Sequence, residues 1–285
     1  MFNTLKHIKR QAWSSQQYCF SSLKLGNGKS LSFPFNFSGV SKTGDAKQVQ
    51  LFETALEQIY DANVKDGFKY AYTATLEAFA QKDTEFFEDI CEPRLYEEIT
   101  EGFEELDRLG LKIEGENLDS QPVKLTLDSF RMIYGVKHVR SQNFRENDYI
   151  KRNMNFNGLD MEVYQAKSID PSYLLKLYPF LQIGCTFQSD ANLILRDKNG
   201  DIVAGEDSNN RHRIIFESVN ESENADGINH IQNLAQSMSG LFGTVGMFAN
   251  KDAMKGFMGR LFSTKDLTWK IVDIDNHLKG NPFSN

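Results

Sequence analysis

The chain has 285 residues, of which 40% are hydrophobic and 12% aromatic, so it can bury a sizeable core, which argues against disorder of the whole chain. The net charge of −7 is unevenly spread, because residues 1–44 contain six Lys and Arg residues but no Asp or Glu. The rest of the chain therefore carries 26 basic and 39 acidic residues. This acidic body repels phosphate backbones, which argues against nucleic-acid binding by the folded part.

The first 44 residues are typical of a mitochondrial targeting peptide, because they are basic, rich in Ser and devoid of acids. Their first part predicts an amphipathic helix, with Lys6, Lys9 and Arg10 on its polar side. The apolar side of that helix would hold Phe2, Leu5, Ile8, Ala12 and Trp13. The stretch YCFSSLKL that follows is a candidate for the cleavage site. The alternative interpretation is an ordinary basic N-terminal tail.

Residues 45–110 are predicted to be helical. The segments LFETALEQIYDANV and FKYAYTATLEAFAQ place apolar residues at helical spacing, including Phe68, Tyr72, Leu76 and Phe79 in the second. A third helix begins at DTEFFEDICEPRLYEEITEGFEELDRLG, where Pro93 predicts a bend or a new first turn. Gly110 is expected to end it.

After Gly110 the pattern changes to that of β-strands. VKLTLDSFRMIYGVKHV alternates, with Val123, Leu125 and Leu127 on one face, and three later segments are similarly rich in apolar and β-branched residues. They are FNGLDMEVYQAKSI, FLQIGCTFQSDANLILRD and RHRIIFESV. A last strand, LTWKIVDIDN, would bury Trp269, Ile271 and Ile274. Helices followed by strands predict an α+β fold, in which helices back a curved antiparallel sheet.

The stretch LRDKNGDIVAG carries Asp197, Asn199 and Asp201 at alternate positions, as a calcium loop would. Such a loop also needs Gly at its sixth position and an acid at its twelfth, where this chain has Ile202 and Ser208. Asn199 and Gly200 instead lie between two apolar segments, which is the pattern of a two-residue hairpin turn of type I′. We therefore predict a structural turn at Asn199 and Gly200 and no metal site.

Several of these features together resemble the C-terminal domain of the mitochondrial inner-membrane translocase subunit 44 family. The first two are the paired N-terminal helices and the segment DTEFFEDICEPRLYEEI, which has an acidic start and a Leu-Tyr pair near its end. The others are the strand-turn-strand LILRDKNGDIVAGED and the terminal strand WKIVDID. Together they cover residues 48–276. The family also includes a mitoribosomal tunnel-exit protein and an inner-membrane ribosome receptor. The resemblance implies a nuclear-transport-factor-two-like or cystatin-like fold without catalysis. It also implies a location on the matrix side of the inner membrane, where the protein holds a larger assembly.

Two departures from the family pattern bear on the role. The import-motor adaptor has a long charged N-terminal region that recruits the motor chaperone, whereas only about 45 residues precede the domain here. The ribosomal relatives are basic, whereas this body is acidic. We therefore expect a domain spanning residues 45–285 that serves as a non-catalytic accessory or scaffolding subunit of an inner-membrane assembly, with a respiratory-chain complex favoured. An import-motor membrane adaptor, a mitoribosomal protein that anchors the tunnel exit to the membrane and an enzyme of the same fold are the alternatives.

A helical insertion is predicted at residues 222–264, before the last strand. Residues 227–250 contain no Asp, Glu, Lys or Arg, and Gly240, Gly243 and Gly246 recur at intervals of three with apolar residues between them. Polar residues dilute this run below what a membrane span needs. It either covers the domain's own core or forms a docking surface for a partner protein or anionic lipid. The predicted docking residues are Leu241, Phe242, Val245, Met247, Phe248, Met254, Phe257 and Met258.

Patterns of catalysis, cofactor binding and metal binding are weak in this sequence. Cys19, Cys91 and Cys185 form no C-x-x-C pair, so neither a disulfide framework nor a zinc cluster is indicated. We predict no cofactor and no metal. Should the fold hold an acid/base pocket, the candidate residues on its strands would be Asp128, His138, Asp160 and Glu162.

Overall fold

The computed structural model describes residues 22–24, 30–40, 64–119, 122–135, 151–155, 161–164, 178–206, 210–220 and 267–278. Its helices in these ranges are α1 (Val64–Gln81), α2 (Thr84–Ile90) and α3 (Pro93–Leu109). Its strands are β1 (Ser22–Lys24), β2 (Ser30–Ser32), β3 (Lys112–Glu116), β4 (Lys124–Gly135), β5 (Lys151–Asn155), β6 (Met161–Tyr164), β7 (Tyr178–Gln188), β8 (Asn192–Arg196), β9 (Ile202–Ala204), β10 (Arg211–Asn220) and β11 (Leu267–Ile274). The first predicted helix, over residues 51–64, lies almost wholly outside the described residues.

The helix α1 forms where the sequence predicts one, because its large apolar side chains recur every three or four residues. Phe68, Tyr72, Leu76 and Phe79 are all buried on one side of it. The chain leaves α1 through Lys82, which has a φ of +53°. The N–H of Asp83 then donates to the carbonyl of Ala78 at 2.9 Å, which satisfies one of the terminal carbonyls.

Pro93 divides the third predicted helix into two. The first part, α2, is capped by Asp83, whose carboxylate accepts a hydrogen bond from the N–H of Phe86 at 3.0 Å. Pro93 is the first residue of α3, a position where its missing N–H costs nothing. Gly110 ends α3 as predicted: its φ is +69°, and the N–H of Leu111 donates to the carbonyl of Leu106 at 2.9 Å.

The larger sheet has six strands in the order β11-β10-β7-β4-β5-β6, and every neighbouring pair in it is antiparallel. The described residues thus form an α+β structure with antiparallel sheets, as the sequence predicts. Two register shifts interrupt the ladders, one between Leu127 and Ser129 and one between Ile215 and Phe216. Such bulges bend a strand and increase its twist.

A second sheet of three strands, β3-β8-β9, is also antiparallel. Of its strands, β3 is not among those predicted from the sequence, because KIEGE is too short and too polar to stand out. Only Ile113 of this strand is buried, at 1% exposure. Contacts with α1 and with β8 therefore hold β3 in place, rather than a strand-like sequence of its own.

Residues 30–40, here called the strap, are part of the hydrophobic core. Four alternate side chains of the strap are at most 3% exposed: Leu31, Phe33, Phe35 and Phe37. Burying one such side chain contributes at most about 1.5–3 kcal/mol, so the four contribute on the order of 6–12 kcal/mol. That is comparable with the ~5–15 kcal/mol of total stability of a typical domain. The folded core therefore begins before residue 44, the boundary expected from charge.

The hairpin between β8 and β9 lies where Asn199 and Gly200 predict one, but its turn is not of type I′. Gly200 has a φ of +88°, whereas Asn199 is not among the residues with positive φ. The Gly200 N–H donates to the Asp197 carbonyl at 3.0 Å, and the Asp197 N–H donates to the Asp201 carbonyl at 2.9 Å. This is the three-residue hairpin loop, in which a tight turn is followed by one left-handed residue. The Asp197 carboxylate accepts hydrogen bonds from the N–H groups of Asn199 and Asp201, which favours the longer loop.

Candidate functional site

A network of buried polar groups joins the strap to the strands β10 and β11. Its centre is Asp275, in the turn that follows β11. The Asp275 Oδ2 accepts the N–H of Asn36 at 2.9 Å and lies 3.0 Å from Nδ1 of His212. The Asp275 Oδ1 accepts the N–H of Arg213 at 2.9 Å. One carboxylate thus links three segments that are far apart in the sequence.

A tight turn places this carboxylate. Asp275 and Asn276 have φ values of +52° and +61°, and the N–H of His277 donates to the carbonyl of Ile274 at 3.0 Å. Two left-handed central residues are the signature of type I′, the turn that the sequence analysis assigns to Asn199 and Gly200. Asp and Asn are the non-glycine residues that best tolerate this conformation. The side chain of Asp275 is fully buried there.

His212 is held between this carboxylate and aromatic rings. Its ring centroid lies 4.2 Å from that of Phe35 with an angle of 24° between the planes, and 6.3 Å from that of Tyr72. The Asp275 carboxylate places the proton on Nδ1, and Nε2 is buried with no hydrogen-bond partner among the described residues. A carboxylate-held imidazole is the arrangement of a general base. Here the imidazole is only 1% exposed, so a substrate does not reach it.

The second part of the network is an ion pair between Asp128 and Arg213. The guanidinium donates from Nε to Asp128 Oδ2 at 2.7 Å and from Nη2 to Asp128 Oδ1 at 2.8 Å. The hydroxyl of Thr186 donates to the same Oδ2 at 2.7 Å. Burial by itself would lower the pKa of Arg213, but the hydrogen bonds and charge of Asp128 raise it. The Asp128 carboxylate is therefore used fully in internal contacts.

The backbone makes room for this ion pair at two positions. Asp128 lies in the bulge of β4, which is the register shift between Leu127 and Ser129. Gly184 of β7 lies opposite, and a Cβ there would overlap Ser129, Asp128 and Arg213. The sequence signal for this arrangement was a glycine inside a strand pattern, which indicates a bulge or a close approach.

The described cysteines are buried thiols inside this core. Burial raises the pKa of Cys185, and the negative charge of Asp128 raises it further. Burial likewise raises the pKa of Cys91, and the negative charge of Glu92 raises it further. A thiol with a raised pKa is a poor nucleophile and metal ligand, so these two residues act as packing groups.

Of the four candidate enzyme residues, the structure brings Asp128 into the network and places the backbone of Glu162 on β6. Asp128 pairs with Arg213, as described above. Glu162 lies on β6 opposite Asn153, and nothing is described of its side chain. His138 and Asp160 lie outside the described residues, as do all the predicted docking residues: Leu241, Phe242, Val245, Met247, Phe248, Met254, Phe257 and Met258.

Sequence reasoning missed the strap, His212 and Asp275. The signal for the strap was present, since LSFPFNF has a large apolar residue at every second position from Leu31 to Phe37. The pairing of His212 with Asp275 left no such signal, because 63 residues separate them. Within the described ranges, no three or more His, Cys, Asp or Glu side chains are placed so that they could hold a metal ion.

Among the helices of the described residues, none is both long and apolar enough to cross a bilayer. The chain matches no protein-family model, and a search of curated proteins likewise finds no relative.

Proposed function

We propose that this chain is a non-catalytic accessory or scaffolding subunit of a mitochondrial inner-membrane assembly, bound on the matrix side. The favoured assembly is a respiratory-chain complex. Its partners are the protein subunits of that complex, with peripheral contact to anionic lipid. The fold is that of the nuclear-transport-factor-two-like or cystatin-like class, and the two bulges of the six-stranded sheet are in keeping with a curved sheet.

One observation carries the non-catalytic part of this proposal. Two acid/base groups of the described residues, Asp128 and His212, are engaged in internal contacts. Asp128 accepts three hydrogen bonds, and the ring of His212 lies between Asp275 and Phe35 at 1% exposure. Asp128 joins strands of the sheet, and His212 with Asp275 joins the strap to it, so these groups serve the fold, which supports a role for the protein's surface.

The charge of the surface favours a protein partner over ribosomal RNA. The exposed side of α3 presents Glu101, Glu104 and Asp107 to solvent. The chain after residue 44 has 39 acidic and 26 basic residues. An acidic surface repels a phosphate backbone and attracts basic protein segments. This favours a respiratory complex over the mitoribosome, which is the second candidate role suggested by the family resemblance.

The test is to identify what the protein binds in the cell. Mitochondria carrying a C-terminally tagged copy are extracted in mild detergent, separated on a native gel and analysed by mass spectrometry. Co-migration with respiratory-chain subunits is the expected result. Co-migration with ribosomal subunits or with the import motor would contradict it and support the corresponding alternative.

A surface variant extends the test to the predicted docking residues. Replacing Leu241, Phe242 and Phe248 with Ser is expected to remove the protein from its complex while leaving its melting temperature unchanged. The control is Tyr70→Ser in α1, which removes an aromatic ring that is 77% exposed. A large fall in melting temperature of the triple variant would instead assign the insertion to the protein's own core.

A further inference from the structure

The hairpin loop between β8 and β9 presents the dipeptide Asn199-Gly200 to solvent. An Asn that precedes a Gly is prone to spontaneous deamidation, because the glycine has no side chain to hinder attack by its backbone nitrogen. In that reaction the Gly200 nitrogen attacks Cγ of Asn199, and the side-chain nitrogen of Asn199 leaves as ammonia. One water then opens the cyclic imide to aspartate or isoaspartate, so no other reactant is needed. The fate of this pair therefore depends on what holds the two nitrogens.

A single residue, Asp197, holds both of these nitrogens. Its backbone carbonyl accepts the N–H of Gly200 at 3.0 Å, so the proton that the attacking nitrogen must lose is held in a hydrogen bond. Its Oδ2 accepts a hydrogen bond from Nδ2 of Asn199 at 3.1 Å, which restrains the leaving group. Its Oδ1 accepts the N–H of Asn199 at 2.8 Å. Ring closure requires the hydrogen bonds of the two reacting nitrogens to break.

The carbonyl side of Gly200 is also fixed. Nη1 of Arg196 donates to the Gly200 carbonyl at 2.9 Å, and Nε of Arg196 donates to Oε2 of Glu114 at 2.8 Å. Glu114 lies on β3, which pairs with β8, so the loop is tied to two strands of its sheet. The reactive geometry is therefore reached through a local opening of the hairpin, which costs less free energy than unfolding of the whole domain.

We propose that Asn199 is a deamidation site of this protein and that its contacts with Asp197 keep the reaction slow while the hairpin is closed. The aspartate product replaces the donor Nδ2 by an acceptor, so Asp197 loses a hydrogen bond and faces a like charge. The isoaspartate product lengthens the main chain of the loop by one methylene and disturbs the pairing of β8 with β9. Either product weakens the hairpin that had protected the site.

The test follows residue 199 by peptide mass spectrometry while the full chain is incubated at mildly alkaline pH. The reference is the same chain unfolded in guanidinium chloride, where the contacts of the loop are lost. Because the folded chain reacts only through local opening, it is expected to deamidate at Asn199 at least about tenfold more slowly than the unfolded chain. Equal rates in the two states would overturn the protection by the hairpin.

Two variants that remove the same charge separate the contacts of Asp197 from its negative charge. Asp197→Ala removes the acceptor of the Asn199 side chain, whereas Asp201→Ala removes a carboxylate from the same loop, where the described contacts of Asp201 are those of its backbone. The first should deamidate at least about fivefold faster than the unchanged folded chain, which is the effect of losing one hydrogen bond. The second should react at the unchanged rate. Equal acceleration by both variants would assign the effect to charge and overturn the role of the Asp197 contacts.

A milder variant covers the case in which Asp197→Ala opens the hairpin altogether. Asp197→Asn keeps the shape of the side chain and one oxygen that accepts main-chain N–H groups, but its other terminal group is a donor and cannot accept Nδ2 of Asn199. Its rate of deamidation at Asn199 should lie between those of the unchanged chain and Asp197→Ala. A rate equal to that of the unchanged chain would overturn the restraint of the leaving group by Asp197.

Discussion

The two faces of the six-stranded sheet are both buried at β7, but different forces hold them. The face toward the helices is apolar: Cys185 and Phe187 are fully buried there, and Phe187 stacks on Tyr72 with ring centroids 4.6 Å apart. The opposite face carries Thr186, only 4% exposed, beside the Asp128–Arg213 pair. The apolar face gains stability from each side chain it buries. The polar face depends on keeping every charge paired.

The largest effect is expected where the strap completes the apolar face. Phe33→Ala removes a buried phenyl ring and leaves a cavity against α3. The free energy of unfolding should therefore fall by about 3–5 kcal/mol. Urea denaturation followed by fluorescence measures it. Tyr70→Ala is the control, since its ring is 77% exposed, and it should change stability by less than about 0.5 kcal/mol. Equal midpoints for both variants would show that the strap is not part of the core.

On the polar face, removing one residue of the Asp128–Arg213 ion pair should destabilise the protein more than replacing both residues. Arg213→Met leaves Asp128 buried without its cation, which should cost about 3 kcal/mol, at the low end of the range for buried pairs because Arg213 is 13% exposed. The double variant Asp128→Leu with Arg213→Met should be more stable than the sum of the two single losses predicts. The measurement is a double-mutant cycle in urea. Additive losses would mean that the pair does not act as a unit.

Alanine substitutions at two helical glycines should change the free energy of unfolding by smaller amounts and in opposite directions. Gly102→Ala places a methyl group against the ring of Phe33, which should cost ~1–3 kcal/mol despite the better helix propensity of Ala. At Gly67 no atom of the described residues outside the local helix backbone lies within 4 Å of the new Cβ, so Gly67→Ala should gain about 0.5–1 kcal/mol. Thermal unfolding compares the two variants directly. A stabilised Gly102→Ala variant would contradict the close packing of the Phe33 ring against Gly102.

The helices and most strands of the described residues could be predicted because their signals are local. The apolar spacing from Phe68 to Phe79 and the stop at Gly110 depend on neighbours in the sequence, and both hold in the structure. The strap shows where such reasoning fails. Average charge over 44 residues suggested a leader, whereas burial is decided one side chain at a time and depends on Gly102, about seventy residues away.

The polar network could not be predicted for the same reason. Asp128 and Arg213 are 85 residues apart, and their meeting requires the register of β4, β7 and β10 together with the bulge at Asp128. The turn types show a subtler limit. The pair Asn199-Gly200 carries the composition of type I′ but adopts a longer loop, while Asp275-Asn276 adopts the two left-handed conformations. At Asn199-Gly200 the Asp197 carboxylate accepts the N–H groups of Asn199 and Asp201, which favours the longer loop, and composition alone does not report such contacts.

The smallest effect is expected at Asp197, whose hydrogen bonds are exposed to solvent, whereas the carboxylate of Asp128 is buried. Desolvation would raise the pKa of Asp197, but the N–H groups of Asn199 and Asp201 and the Asn199 amide lower it below its ordinary value of 3.8. A lowered pKa in the folded state means that this carboxylate stabilises the hairpin above the unfolded-state pKa. That contribution is lost as the pH falls through the folded-state value. Titration of the Asp197 carboxyl carbon by NMR should therefore give a midpoint below 3.8, and Asn199→Ala should move it upward. A midpoint at or above 3.8 in the unchanged protein would mean that these donors do not hold the charged form, and that the loop is set by Gly200 alone.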